Sequence, residues 1–221
     1  MADSGENCIA VAPGANYSLL PGAITHFSKV VAEADIIVMQ AEIPYETIKS
    51  IALSAKQKGK KVLFNPAPAC LIDEQLMKAI DILVVNKVEA SFISGIDYTS
   101  NNLEEIAEAL IKKGAHNVVI TLGSQGVYMK NKTETIQLPG YKVNAIDTIA
   151  AGDTFCGALA VMCAQKGIDI ETLAFANAAA AIAVTRSGAQ PSIPTLDEVN
   201  HFILEKELAL SPNIKFNEHE K

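Results

Sequence analysis

Short apolar runs alternate with longer segments of helical periodicity, and this alternation is the strongest restriction on how the chain can fold. Each run is continuous enough to predict a strand that is covered on both faces. The four runs are Ile36–Met39, Val62–Phe64, Ile82–Val85 and Val118–Thr121. Strands that alternate with amphipathic helices predict an α/β fold, with a doubly wound, mostly parallel sheet flanked by helices.

The remaining segments predict further elements around this sheet. A hairpin is expected from Gly126–Lys130 and Thr133–Leu138, with its turn at Asn131 and Lys132. Other predicted strands are Asn7–Ala12 and Lys142–Ala145. One predicted helix begins at Pro21, with Ile24, Phe27, Val30, Val31 and Ala34 on one face, and another begins at Pro44. The remaining predicted helices span Glu74–Ala79, Asn86–Ile93, Leu103–Lys113, Ala151–Lys166, Ile170–Arg186 and Leu196–Leu208. We expect one domain over residues 1–208 and a polar tail over residues 209–221.

Polar residues follow the four apolar runs, at the point where each predicted strand ends. They are Glu42, Asn65, Asn86, and Thr121 with Gly123. Because right-handed crossovers bring the ends of successive parallel strands to one edge of the sheet, we expect these residues to share that edge. Ligands bind at this edge in open α/β sheets. The alternative, that each residue belongs to an ordinary polar turn, stays open for any one of them.

The segment Asp147–Phe155 joins small residues to the start of a long predicted helix. Ala150, Ala151 and Gly152 have little side chain, so their backbone N–H groups can approach a ligand closely. Such a helix N-terminus favours anions, and phosphate is the usual one. Asp153 would repel phosphate, unless it accepts the proton of a hydroxyl group that attacks the phosphate. Alternatively, Asp153 is an ordinary helix-capping acid.

Composition and charge exclude several classes of function. The net charge of −7, without a basic cluster, argues against nucleic-acid binding. The start, Met1–Glu6, lacks the apolar segment of a signal peptide, and the longest apolar run, Ala178–Val184, is too short to span a membrane. Four cysteines show neither metal nor redox spacing, which leads us to expect a reduced, cytoplasmic protein.

Three motifs together resemble the ribokinase-like (PfkB) family of carbohydrate kinases. The most specific is Asp147-Thr148-Ile149-Ala150-Ala151-Gly152-Asp153 at the start of a helix, and the others are Phe64–Ala69 and Gly188–Ser192. Supporting matches run from about Asn7 to Val199. The resemblance implies ATP-dependent phosphorylation of a sugar hydroxyl, with D-ribose as the expected sugar and Mg²⁺ and K⁺, or another monovalent cation, as cofactors.

The resemblance also implies roles for individual residues. Asp153 would be the catalytic base and also contact the sugar, and the amides of Ala150, Ala151 and Gly152 would form the anion hole. Glu42 would contact the sugar, and Glu89 in Asn86-Lys87-Val88-Glu89 would hold Mg²⁺ through water. The nucleotide-binding residues would be Asn86, Thr121, Gly123, Ser124, Gly126, Gly152 and Asn177, and the monovalent-cation site would be formed by Asp147, Ile149, Ala183, Arg186, Gly188 and Ser192.

Simpler explanations remain open for most of these residues at this point. Asn86 and Glu89 have the spacing of a helix cap, and Gly123 to Gly126 could be a plain turn. Glu42 could be a helix-start acid, Asp147 a turn former and Asn177 a hydrogen-bonded polar residue inside a helix. The histidines are scattered and receive no role.

Complete members of the family carry roughly a further third at the N-terminus, which supplies central strands, much of the sugar pocket and most of the lid. Residues 7–12 resemble one remaining lid strand, and the family often forms homodimers through the lid. We therefore expect a chain that binds ATP but holds sugar poorly. The alternatives are a nucleotide-binding remnant without turnover and a kinase for another small alcohol, such as a nucleoside or a vitamin.

Overall fold

The computed structural model describes residues 12–22 and 28–210, and one six-stranded sheet forms its centre. The strands are β1 (Ile36–Gln40), β2 (Lys61–Asn65), β3 (Ile82–Asn86), β4 (Asn117–Thr121), β5 (Val127–Lys130) and β6 (Thr135–Leu138). The helices are α1 (Ser28–Glu33), α2 (Tyr45–Gln57), α3 (Glu74–Ala79), α4 (Lys87–Ser94), α5 (Leu103–Lys112), α6 (Ala151–Lys166), α7 (Ile170–Ala183) and α8 (Leu196–Leu210).

The strands lie side by side in the order in which they occur along the chain. Strands β1 to β4 are parallel, and β5 and β6 add an antiparallel hairpin at one side. The register pairs Gln40 with Asn65 and Asn86 with Thr121. The predicted sheet and hairpin are therefore confirmed, and polar strand ends share one edge of the sheet as expected.

Alternate residues of β2 to β5 pack into two separate cores. Val62 and Phe64 face the layer formed by α2 to α5, whereas Leu63 between them faces α6 and α7. Each of these three side chains is fully buried. Because successive side chains in a strand point to opposite faces, the continuous apolar runs of the sequence are explained by helices on both faces of the sheet.

Strand β1 differs from the prediction that all four strands are covered on both faces. Val38 at its centre has a relative exposure of 38%. Among the described residues, β1 pairs only with β2, so the outer edge of β1 has no neighbouring strand there. The periodicity of the chain predicts the strand correctly but not its position at the edge of the described sheet.

Two further predictions about secondary structure are wrong. Residues 142–145 form no strand, because Gly140 packs directly against the Ser124 carbonyl and the chain continues as a loop. Helix α7 ends at Ala183 rather than at Arg186. Its last turn tightens there, and the Val184 carbonyl accepts hydrogen bonds from the 146–147 loop instead of continuing the helix.

Several expected features lie outside the described residues. These are most of the lid strand (residues 7–11), part of the helix expected after Pro21 (residues 23–27) and most of the polar tail (residues 211–221). Helix α1 is the described part of that helix, and its residue Val30 is 65% exposed. Within the described ranges, no helix has the length and apolar character needed to cross a membrane.

Candidate active site

The N-terminus of α6 begins with an unusual backbone conformation at Ala150. Its φ of 60° and ψ of 9° lie in the left-handed region, and it is the single described residue other than glycine with a positive φ. This conformation costs a side-chain-bearing residue about 1–2 kcal/mol. The Ala150 carbonyl accepts the first hydrogen bond of the helix, from the amide of Thr154 at 2.8 Å. No sequence signal indicated this conformation, because alanine rarely adopts it.

This backbone leaves several amides open at the start of α6. Within the described residues, the N–H groups of Ala150, Gly152 and Asp153 have no acceptor. The amide of Ala151 makes only a long bond of 3.4 Å to the Thr148 carbonyl. The unpaired N–H groups and the positive end of the α6 dipole together favour an anion at this point.

Two cavities meet the 148–153 segment from different sides. Asp153 is exposed and lines a cavity of 630 Å³, which extends along β1 to Gln40. Thr148 and Ala151 line a second cavity of 620 Å³. A group bound at the open amides would therefore lie between the two cavities, with the Asp153 carboxylate on the side of the first.

The second cavity contains part of the predicted nucleotide-binding set. Gly123, Ser124 and Asn177 line it together with Ala151. Thr121 and Gly126 lie next to this cavity without lining it: Thr121 ends β4, and Gly126 is buried behind the Gly123–Gln125 turn. A side chain at Gly126 would place its Cβ 2.0 Å from the Leu138 carbonyl oxygen, so glycine is required there by close packing.

Asn86 and Glu89 form a capping box at the start of α4. The carboxylate of Glu89 accepts from the Asn86 amide at 2.8 Å and from Asn86 Nδ2 at 2.9 Å, and Asn86 Oδ1 accepts from the Glu89 amide at 2.9 Å. Glu89 is only 6% exposed, and this burial raises the pKa of its carboxyl group. The capping alternative is thus correct in geometry, and the glutamate of this cap is buried rather than exposed to solvent.

The substitution Glu89→Gln is expected to remove a pH dependence of folding stability. The folded-state pKa of Glu89 lies above its ordinary value of 4.5, so unfolding releases a proton at a pH between these two pKa values. The free energy of unfolding therefore falls as pH rises from 4.5 to the folded-state pKa. Glutamine carries no titrating group and can keep one bond of the capping box. Urea unfolding from pH 4 to pH 8 should give a flatter profile for the variant.

The exposed Glu105 in the first turn of α5 provides the control for this measurement. Glu105→Gln should leave the profile of the wild type unchanged. A profile of Glu89→Gln that is as steep as that of the wild type would contradict the assignment to this carboxyl group.

Asp147 joins the loop before α6 to the loop after α7. Its Oδ1 accepts from the Ile149 amide at 3.0 Å, and its Oδ2 accepts from the Gly188 amide at 3.0 Å. These two backbone bonds lower the pKa of the Asp147 carboxyl group, whose side chain is buried from solvent by the two loops. Asp147 is therefore more than a local turn former, because it fixes two loops that are far apart in sequence.

The other members of the predicted cation set lie on the same two loops or, for Ala183, at the end of α7. The Ala183 carbonyl accepts from the Arg186 amide, and buried Ser192 donates to the Ala189 carbonyl at 2.6 Å. The guanidinium of Arg186 instead binds Glu198 at 2.6 Å. Because a guanidinium cannot ligate a cation, Arg186 can offer the site only its backbone carbonyl.

We expect Asp147→Asn to lower the melting temperature by several degrees at neutral pH, because an amide cannot accept from both backbone N–H groups. The lowered pKa means that Asp147 stabilises the fold above its ordinary value of 3.8 and that this contribution disappears as pH falls through the folded-state pKa. The difference between variant and wild type should therefore shrink in acid. Thermal unfolding at pH 7 and pH 3 tests this, and exposed Asp97→Asn is the control.

The structure separates Glu42 from Asp153. Glu42 lines a cavity of 550 Å³ with Pro44 and Pro68, whereas Asp153 lines the cavity along β1. The polar residues that share the cavity of Asp153 are Asp35, Gln165 and Gln40, and Gln40 is the last residue of β1. Sequence reasoning missed Gln40, although its position at the end of the first apolar run was a usable signal.

Two cysteines on α6 are packing residues. Cys156 and Cys163 are buried and form no disulfide, and burial raises the pKa of their thiols to about 12 and about 11. Both thiols stay protonated at neutral pH and are poor nucleophiles. Cys156 also lines the cavity of Asp153, where it contributes a small apolar surface.

The fold and the site together define an α/β protein in which open amides at a helix N-terminus lie beside an exposed carboxylate. A family model described as "pfkB family carbohydrate kinase" matches residues 1–196. The chain belongs to this family of carbohydrate kinases.

Known relatives agree with this assignment. The chain is 38% identical to a ribokinase of Haemophilus influenzae over 205 residues, which cover 92% of this chain and 67% of the relative. It is 40% identical to a ribokinase of Staphylococcus aureus, with 89% and 65% covered. The chain spans about two thirds of the length of the curated relatives it matches.

Solved structures show the same fold. The ribokinase of Thermotoga maritima superimposes with a TM-score of 0.81 at 39% identity, covering 91% of this chain and 67% of that chain. A ribokinase of Arabidopsis thaliana, solved with ribose and ATP, gives a TM-score of 0.83 at 30% identity, covering 90% of this chain and 65% of that chain.

Proposed function

We propose that this protein transfers the γ-phosphoryl group of ATP to a hydroxyl group of a sugar, with D-ribose as the preferred substrate. One observation carries the proposal: the open amides at the start of α6 lie between a cavity lined by Gly123 and Ser124 and a cavity lined by Asp153. The relatives named ribokinase, and the one solved with ribose and ATP, support the choice of substrates.

In the proposed reaction, Asp153 is the catalytic base. Its carboxylate accepts the proton of the sugar hydroxyl while the hydroxyl oxygen forms a bond to the γ-phosphorus. The bond between this phosphorus and the β–γ bridging oxygen breaks, and ADP leaves. The amides of Ala150 and Gly152, with Ala151 beside them, stabilise the charge on the transferring group.

ATP would occupy the cavity that Gly123, Ser124 and Asn177 line. Asn86 and Thr121, paired at neighbouring strand ends, would lie close to its phosphates. Gly126 would act by allowing the Gly123 turn to pack closely. Glu42 remains our proposed sugar contact from the family resemblance, and Gln40 is added from the cavity that it shares with Asp153.

The metal ions are also part of the proposal. Both carboxylate oxygens of Glu89 already accept from Asn86, so Glu89 suits a contact to Mg²⁺ through water better than direct ligation. Mg²⁺ would neutralise charge on the phosphates. For K⁺, the ligands would come from Asp147 and from the backbone or hydroxyl oxygens of Ile149, Ala183, Arg186, Gly188 and Ser192.

Among the described residues, no three histidine, cysteine, aspartate or glutamate side chains cluster as metal ligands. Dimer formation through the lid and a cytoplasmic location stay predictions from the family resemblance and from the cysteine spacing.

A second candidate function is nucleotide binding without turnover. It is favoured by the exposure of Val38, which lines the cavity of Asp153. Among the described residues, the side of the site on which the sugar would bind is therefore open to solvent. In that case the protein would bind ATP but would not release ADP when a sugar is added.

Coupled assays of ADP release by the purified chain distinguish these functions. We expect ribose-dependent ADP release in the presence of ATP and Mg²⁺, with 2-deoxyribose and a nucleoside as comparison substrates. Deoxyribose deserves inclusion because a deoxyribokinase of Salmonella typhi is 32% identical to this chain. ATP binding without any sugar-dependent ADP release would favour the second candidate, and preference for the nucleoside would contradict the choice of sugar.

A further inference from the structure

Asn177 is a buried polar residue in the middle of α7, a helix whose other buried residues after the capping Thr172 are apolar. Its neighbours Ala176 and Ala178 are fully buried, and Asn177 itself is 9% exposed. Asparagine is an unfavourable residue in a helix interior, and burying its amide is costly without a hydrogen bond. The side chain makes such a bond: Nδ2 donates to the Pro139 carbonyl at 2.9 Å, across 38 residues of sequence.

Pro139–Lys142, which we call the latch segment, follows β6 and has no strand partner. It is confined on its other side by the turn before β5, since a Cβ at Gly140 would lie 2.2 Å from the Ser124 carbonyl oxygen. Tyr141 packs edge-to-face against Phe202 of α8, with ring centroids 5.1 Å apart. The bond from Asn177 thus joins the helical layer to a segment that no regular secondary structure holds.

The latch segment forms a wall shared by two cavities. Gly140, Tyr141, Lys142 and Asn177 line both the 620 Å³ cavity assigned to the nucleotide and an adjoining cavity of 510 Å³. A displacement of the segment would change the width of both. Because a carbonyl oxygen only accepts, the NH₂ group of Asn177 must face Pro139, and the bond has a single donor that a substitution can remove.

We infer that Asn177 is a positioning residue, whose amide holds the latch segment in place and thereby sets the shape of the nucleotide cavity. The effect of Asn177 on nucleotide binding rests on the proposed function, whereas its effect on the position of the latch segment does not. This role differs from a contact to the base itself, because it acts through Pro139 and requires a donor. It predicts a change in nucleotide affinity with little change in the phosphoryl-transfer step.

NMR relaxation of the backbone amides in the nucleotide-free chain tests the structural part. In Asn177→Leu, which keeps the size of the side chain but not the donor, the order parameters of the amides of residues 140–142 should fall from about 0.85, typical of rigid backbone, to below about 0.6. Asn177→Asp should behave like Asn177→Leu at neutral pH. In acid its protonated carboxyl group can donate to Pro139, so the order parameters should return to those of the wild type in Asn177→Asp alone.

The control removes the side-chain bonds of a second asparagine, far from the cavities. In an exposed loop, Asn102 Nδ2 donates to the Asp97 carbonyl at 2.8 Å and Asn102 Oδ1 accepts from the Thr99 amide at 2.8 Å, and Asn102→Ala should leave the order parameters of the latch segment unchanged. Unchanged order parameters in Asn177→Leu, or no recovery of Asn177→Asp in acid, would overturn the inference. Circular dichroism of both variants establishes that they are folded.

Calorimetric titration with ADP and steady-state kinetics test the functional part. We expect ADP to bind about tenfold more weakly to Asn177→Leu and KM for ATP to rise, with kcat at saturating ATP within about twofold of the wild type. A fall in kcat without a change in KM would overturn the positioning role. If the wild type does not bind ADP, the proposed function fails, while the relaxation measurement still decides whether Asn177 holds the segment.

Discussion

Asp153→Asn is expected to reduce kcat about 10²–10⁴-fold, the usual contribution of a positioned general base, while ATP binds as in the wild type. Asn has nearly the same shape as Asp but cannot accept the proton of a sugar hydroxyl at neutral pH. Asp153 is exposed and accepts no hydrogen bond from the described residues, so the variant should be as stable as the wild type. The measurement is ribose-dependent ADP release at saturating ATP, with a separate titration of nucleotide.

Asp197 supplies a matched control, since it is also an exposed aspartate in the first turn of a helix. Asp197→Asn should leave kcat unchanged. If Asp153→Asn kept more than about a tenth of the wild-type kcat, below the effect usual for a general base, Asp153 would not be the base. Equal loss of nucleotide binding and of turnover would instead point to a role in holding the anion.

Gly126→Ala is expected to lower the free energy of unfolding by about 3 kcal/mol, through overpacking added to backbone strain. The new methyl group would lie 2.0 Å from the Leu138 carbonyl oxygen and 2.5 Å from the Pro139 carbonyl carbon, both of which are backbone atoms. The φ of 99° and ψ of −134° at Gly126 are also closed to alanine. Urea unfolding measures the loss.

Gly123→Ala separates the two contributions. Gly123 has a φ of 62°, and a Cβ at this position would have no atom within 4 Å apart from its chain neighbours. The variant therefore carries the cost of the left-handed conformation alone, about 1 kcal/mol. A loss at Gly126 no larger than the loss at Gly123 would contradict the close packing described here. Because the turn between these glycines borders the nucleotide cavity, Gly126→Ala should also weaken ATP binding, provided that it folds.

The sheet and its helices were predictable because their signals are local. The run Val62–Phe64 and the helix Glu74–Ala79 lie where the periodicity indicated, and α6 spans the residues that were expected. A strand that is buried on both faces is a continuous apolar run, and a helix that packs on one face carries a stripe of apolar residues. Each element can therefore be predicted from its own sequence, without knowing which elements lie beside it. The exposure of Val38 was not predictable, since it depends on what lies beside β1.

The candidate site was predictable in its chemistry but not in its geometry. The small residues before Asp153 indicated an anion site, and the structure brings Ala151, Gly123 and Asn177 to one cavity. The positive φ of Ala150 had no signal, because alanine does not favour that conformation. The burial of Glu89 was missed for a related reason: helical spacing places a residue on a face without saying what covers that face.

The agreement between spatial and chain order in the sheet has a consequence for how this protein can acquire its structure. Each strand from β2 to β6 pairs with the strand that precedes it along the chain. The six strands can therefore be added one after another as the polypeptide leaves the ribosome, with only short loop closures at each step. Pairing between strands that are neighbours in the chain can form early in folding. The hydrogen bond between Asp147 and Gly188 can form only after residue 188 has been synthesised.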